Sequence, residues 1–185
     1  MLQEIWHTIV AEFSDVPDVQ TVTKIATRIF VAAILGGILG YERERKSMSA
    51  GVRTHMLVAV GAAIFMIGPT QAGMLIGDLS RVMQGVVQGI GFLGAGAIIV
   101  GASTRKVHGL TTAASIWGAA GIGMSAGLGM EATAVLSTLT VLFVLAIVPI
   151  FTKGIREEGA LASASATSAP DDGPKKEGRS QKLRE

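Results

Sequence analysis

Cysteine is absent from the 185-residue chain, which excludes a disulfide framework, a zinc–thiolate centre and a cysteine nucleophile. Charge is scarce: Asp, Glu, Lys and Arg make up 16% of residues, against roughly a quarter in soluble domains. The formal net charge of +2 is too small to mark a nucleic-acid binder. No G-x-x-x-x-G-K-[ST] loop occurs, so the chain carries no phosphate-binding loop of an ATP-driven pump. What is abundant is apolar surface, at 49% of residues, together with 24 glycines.

The charges leave long gaps. Residues 54–77, 82–104, 107–130 and 132–152 contain none, and a helix needs about 20 apolar residues to cross the hydrocarbon core. A shorter candidate, 25–41, starts beside Lys24 and Arg28, which can snorkel to the interface. The fold expected is all-α: a polytopic membrane bundle of about five transmembrane helices, at 25–41, 55–76, 82–101, 109–129 and 132–152. Thirteen of the 16 basic residues fall in the segments after the first, third and fifth spans. The positive-inside rule then places the C-terminus in the cytoplasm and the N-terminus outside.

Three regions follow. Residues 1–20 begin with an amphipathic stretch in which Leu2, Ile5, Trp6, Ile9, Val10 and Phe13 share a face, as an interfacial helix requires. It lacks the basic start and unbroken apolar run of a cleavable signal peptide. Residues 21–153 hold the spans. Residues 154–185, rich in Ser, Ala, Pro, Gly and Lys, are expected to be a disordered cytoplasmic tail.

Twenty of the 24 glycines lie between Gly36 and Gly129. Small residues four apart let membrane helices approach closely, and Gly36/Gly40, Gly85/Gly89 and Gly123/Gly127 have that spacing. Spans one to four are expected to form a tight inner bundle, with span five facing lipid. A glycine-broken helix lining an ion path is the other reading, and Gly89 to Gly96 make span three its best candidate. Two enzyme motifs fail on context. Gly89–Gly94 fits G-x-G-x-x-G without the strand or the acidic residue about 20 positions on. Gly123–Gly127 fits G-x-S-x-G, but no histidine follows Ser125 to complete a triad. The chain is expected not to be an enzyme.

Polar residues at spans are functional candidates by default. Asp78 and Arg81 begin span three, with Gln84 and Gln88 one and two turns on, and Arg81, Gln84 and Gln88 share a stripe. Asp78 reads either as a helix cap or as a contact for Mg²⁺, which keeps several waters and uses one or two carboxylates. Glu42 and Arg43 directly follow span one as part of a positive-inside anchor. Arg53 and His55 open span two; a lone interfacial histidine reads best as a hydrogen-bonded packing residue. Thr111 and Thr112 start span four as caps or interhelical donors. Trp117 lies deep in that span, where its N–H wants a partner.

Five blocks, in order and spacing, resemble the MgtC/SapB family of bacterial inner-membrane proteins. They are Arg28 with Leu39–Glu44, Ala50–His55, Asp78 with Arg81, Gly89–Ile98, and Gly109–Trp117. The resemblance implies a multi-pass inner-membrane protein linked to magnesium homeostasis and growth in low magnesium. Members are often labelled magnesium-transport components; the best-studied one is regarded as a regulator that restrains the ATP synthase. Family motif positions carry over to Glu42, Arg43, Arg53, Asp78, Arg81, Phe92, Thr111, Thr112 and Trp117. Several members carry a folded soluble domain after the last span, where a disordered tail is expected here. Two functions follow: a non-catalytic regulator acting through helix contacts with a membrane partner, such as the ATP synthase, or a Mg²⁺ (or other cation) transporter or channel component, as a homo-oligomer, with Asp78 at its periplasmic mouth. No organic cofactor and no nucleic-acid partner are expected; the lipid membrane is.

Overall fold

The computed structural model describes residues 1–14, 18–101 and 109–167, and the side chains of 1–14, 18–98 and 109–149. The described residues form six α-helices and no strand: α1 (Leu2–Glu12), α2 (Val19–Arg45), α3 (Val52–Gln71), α4 (Ile76–Gly101), α5 (Leu110–Gly127) and α6 (Glu131–Thr167). Residues 1–147 make one compact unit, and a second begins at Val148. Among the described residues, three helical stretches are long and apolar enough to cross a membrane: Val19–Arg45, Val52–Gln71 and Glu131–Pro149. The expected third and fourth spans coincide with α4 and α5. At 18 residues, α5 is about 27 Å long, and it spends three of its first six positions on Thr111, Thr112 and Ser115. The Arg105/Lys106 loop and residues 168–185 of the expected tail lie outside the described residues; α6 itself runs on to Thr167.

The core is three helices joined by small residues. α3 sits between α2 and α5, and presents Ala59 and Ala63, both fully buried. On one side, a Cβ added at Gly36 would lie 2.7 Å from the His55 carbonyl, and one at Gly40 would lie 2.6 Å from Val52 Cα. On the other, a Cβ at Gly123 would run into the Ala59 carbonyl, and one at Gly127 would lie 2.5 Å from the Ala63 carbonyl. All three helices thus meet through small-x-x-x-small pairs, which bring backbones together where lipid gives no hydrophobic drive between helices. α6 adds a stripe, with Ala134, Thr138 and Leu145 buried and Val141 under Gly118.

α4 departs from the expected inner bundle of four. It leans on α5 where Gly94 meets Ala113 and where the Ala97 carbonyl meets Gly109, and it buries Leu79 near its start. Between these points it stands off. Nothing lies within 4 Å of where a Cβ would be at Gly85, Gly89, Gly91 or Gly96. An apolar cleft of about 600 Å³ separates α4 from α3, lined by residues that include Gly61, Phe65, Val82 and Val86. The helix is unbroken through Gly89–Gly96, so the glycines there do not interrupt it, and Gly94 serves as a packing contact with α5.

The helix ends follow local rules. Asp18 caps α2, accepting from the Thr21 N–H at 2.6 Å, and that bond holds its carboxyl below the usual range. α3 and α5 end in Schellman turns at Gly73 and Gly129, both with positive φ. Their 6→1 bonds run from Met74 N–H to the Pro69 carbonyl and from Met130 N–H to the Ser125 carbonyl. Glycine is the residue that takes this left-handed position without a Cβ penalty. α1 buries nothing.

Candidate functional site

Two groups of polar side chains stand apart from the apolar packing. The first gathers at the joined ends of α2, α3, α5 and α6. Lys46, the residue that caps the end of α2, bridges the Glu42 carboxylate (2.5 Å) and the Leu145 carbonyl of α6 (2.7 Å). One residue along from Glu42, Arg43 is only 2% exposed. Its Nη1 lies 3.8 Å from Glu42 Oε2, a loose ion pair. Its Nε and Nη2 have no hydrogen-bond partner among the described residues. That edge is the one a guanidinium offers to a carboxylate or phosphate in bidentate pairing. A buried, half-satisfied arginine is costly, and the sequence reading of Arg43 as a solvated anchor is corrected: it is an interior residue.

His55, fully buried, is held at both ring nitrogens. Nδ1 is 2.9 Å from the Gly51 carbonyl and Nε2 is 3.0 Å from Ser115 Oγ. The Ser115 hydroxyl also lies 2.8 Å from the Thr112 carbonyl; its single hydrogen serves one acceptor at a time. The chain α3–His55–Ser115–Thr112 ties α3 to α5. This is the packing role expected of a lone histidine. Thr112 is buried and Thr111 exposed, and α5 has no side-chain cap. Arg53 is exposed on the first turn of α3, whose Val52 N–H is capped instead by the Glu44 carboxylate at 2.9 Å.

The second group lies on α4. Asp78 belongs to its first turn, with its own N–H bonded to the Leu75 carbonyl at 2.9 Å. It therefore favours the helix dipole without being the cap that the sequence suggested. Asp78, Arg81, Gln84, Gln88 and Phe92 are all exposed, Phe92 at 86%. The structure keeps Arg81, Gln84 and Gln88 together as the expected stripe, with Asp78 beside it, but turns that stripe away from the core, and Phe92 falls on the same face. Trp117 is likewise on the outer surface of α5, 56% exposed, not enclosed within the bundle.

Sequence reasoning missed Arg28. Read as a snorkelling residue, it instead donates from Nη1 to the Gly127 carbonyl at 3.1 Å, and a Cβ at Gly129 would strike its guanidinium. A cation on the last carbonyls of α5 satisfies orphan acceptors and the negative dipole end. The Gly127–Leu128–Gly129 stop signal was the available clue; the 99-residue separation hid the pairing.

The comparisons with known proteins converge on one family. The MgtC family model matches residues 29–153. The chain belongs to the MgtC family. It is 43% identical to SrpB of Synechococcus elongatus, over 50% of this chain and 57% of SrpB. It is 44% identical to YhiD of Escherichia coli K12, a protein whose name marks it as a candidate magnesium transporter, over 49% of this chain and 44% of YhiD. With the MgtC protein of Brucella abortus it shares 46% identity over 48% of this chain and 36% of that protein. The chain thus spans 36–57% of the length of these curated relatives. No solved structure matches at a significant level. Both polar groups fall within the MgtC match, and Arg28 lies one position before it.

Proposed function

We propose that this MgtC family member is a multi-pass protein of the bacterial inner membrane that serves magnesium homeostasis and adaptation to low magnesium. α2 to α5 and the first part of α6 make the five spans, with the N-terminus outside and the C-terminus cytoplasmic. The bias of basic residues to the segments after spans one, three and five supports that orientation. The exposed apolar face of α1 lies along the membrane surface.

Its action is that of a non-catalytic regulator, working through helix contacts with a larger membrane complex of the ATP synthase kind. The observation that carries this reading is the closed interior. Where α2, α3 and α5 meet, backbone touches backbone at Gly36, Gly40, Gly123 and Gly127, which leaves no lumen for a hydrated ion. Asp78, the carboxylate best suited to meet Mg²⁺, faces outward from α4. The test is Mg²⁺ entry into liposomes that hold the purified chain and an enclosed Mg²⁺ indicator. The expected rate equals that of protein-free liposomes. Saturable entry that Asp78→Asn removes would overturn the regulator reading in favour of a transporter.

A further inference from the structure

The outward face of α4 is unlike the rest of the exterior. At about 100° per residue, Asp78, Arg81, Gln84, Gln88 and Phe92 fall within an arc of about 120°, and all five are exposed. Gly85 and Gly89 flank this arc on the side of the α3–α4 cleft, which they help to line. Gln84 and Gln88 lie 8 and 12 residues past the start of the helix, about 12–18 Å along it, at mid-span depth. Neither amide has a hydrogen-bond partner among the described residues, and neither Asp78 nor Arg81 is in an ion pair, although they sit one turn apart. The hydrocarbon core can satisfy neither glutamine amide, while Asp78 and Arg81 lie nearer the membrane surface at the start of the helix.

We propose that this face docks on the same face of a second copy of the chain, about a two-fold axis normal to the membrane. The side chains are self-complementary, which a two-fold contact demands. Asp78 meets Arg81 of the partner subunit, and the reciprocal pair forms at the same depth. Each glutamine amide both donates and accepts, so an identical amide at the same level completes it. An unrelated helix would have to bring an acid, a base and two amides in matching register; the copy already carries them. The inference requires only that α4 crosses the membrane, and stands whether the protein regulates or transports.

Because the chain has no cysteine, single-cysteine crosslinking reads the contact directly. Gln88→Cys and, as a control on the exposed face of α6, Phe143→Cys are oxidised in cell membranes and in liposomes that hold only the purified chain at low protein-to-lipid ratio. The expected result is a covalent dimer with Gln88→Cys and not with Phe143→Cys, in both settings. In the Gln88→Cys background, Asp78→Arg alone and Arg81→Asp alone each lower the yield roughly three- to tenfold, and the two together restore it. Equal yields at positions 88 and 143 overturn the proposal, as does a charge-exchanged pair no better than the single changes. So does a Gln88→Cys adduct that forms only in cell membranes and at the mass of another protein. Flux into liposomes bears on the functional reading and leaves this one untouched.

Discussion

Two glycine-rich regions of one chain behave in opposite ways. On α2 and α5, Gly36, Gly40, Gly123 and Gly127 are sites of backbone contact with α3. On α4, Gly85 and Gly89 have the same four-residue spacing and touch nothing. The helix ends differ in the same sense. Asp18 caps α2, Glu44 caps α3, and Arg28 holds the last turn of α5, whereas α4 is held by Leu79, by its contact with α5 and by a smaller one with α3. The spacing of small residues licenses close approach without saying which helix approaches. What distinguishes the two regions is whether a partner helix stands opposite.

The largest break in that comparison is to place the same side chain in both regions. Gly123→Val should cost about 3 kcal/mol or more, because its branches meet the Ala59 carbonyl and backbone cannot yield as a rotamer can. Gly89→Ala should be neutral or stabilising by up to about 1 kcal/mol, since it relieves a helical glycine. Thermal unfolding in detergent, where subunits are separated, checks both. Equal losses at the two positions would mean that α4 is packed as tightly as the core.

Arg43 sharpens the contrast from inside the core. Glu42 keeps Lys46 at 2.5 Å, so replacing the buried, loosely paired arginine with an apolar residue of similar length relieves desolvation without stranding the carboxylate. Arg43→Met should therefore leave the fold as stable or raise it by about 1–2 kcal/mol, while it impairs growth in low magnesium. A stability loss of several kcal/mol would show that the guanidinium is a structural tie.

Arg28→Met tests the tethered end of α5 and should cost about 1 kcal/mol, the worth of a charge-assisted bond to helix-end carbonyls. It should loosen the amides around Gly129 in hydrogen exchange and leave α4 unaffected.

The smallest effect is expected at Asp18, on the start of α2. Its carboxyl titrates below the usual range because the Thr21 N–H donates to the charged form. The stabilisation is therefore present above the unfolded-state carboxyl pKa and is lost as pH falls through the lowered folded value. Exchange at the Thr21 amide, corrected for its intrinsic pH dependence, should rise across that acid window, and Asp18→Ala should abolish the transition.

Much of this molecule is legible along the chain. Charge-free runs longer than a bilayer crossing set its helical class, since lipid tolerates only backbone that bonds to itself. Gly73 and Gly129 mark helix stops because a left-handed residue is needed there, and the GxxxG spacing of α2 and α5 announces close contact. The blocks around Glu42, His55, Asp78, Gly94 and Trp117 point to the family that the match over 29–153 establishes. The tertiary structure decided the rest, because it depends on which elements meet. Helical periodicity places Arg43 and Glu44 on the same short basic stretch; only the closing of α2, α3 and α5 makes one an interior charge and the other a cap. Asp78, Gln84 and Gln88 share a stripe in any helix of this sequence. That the stripe faces outward follows from α3 filling its contacts with Ala59 and Ala63 against α2 and α5, which leaves α4 at the edge of the core.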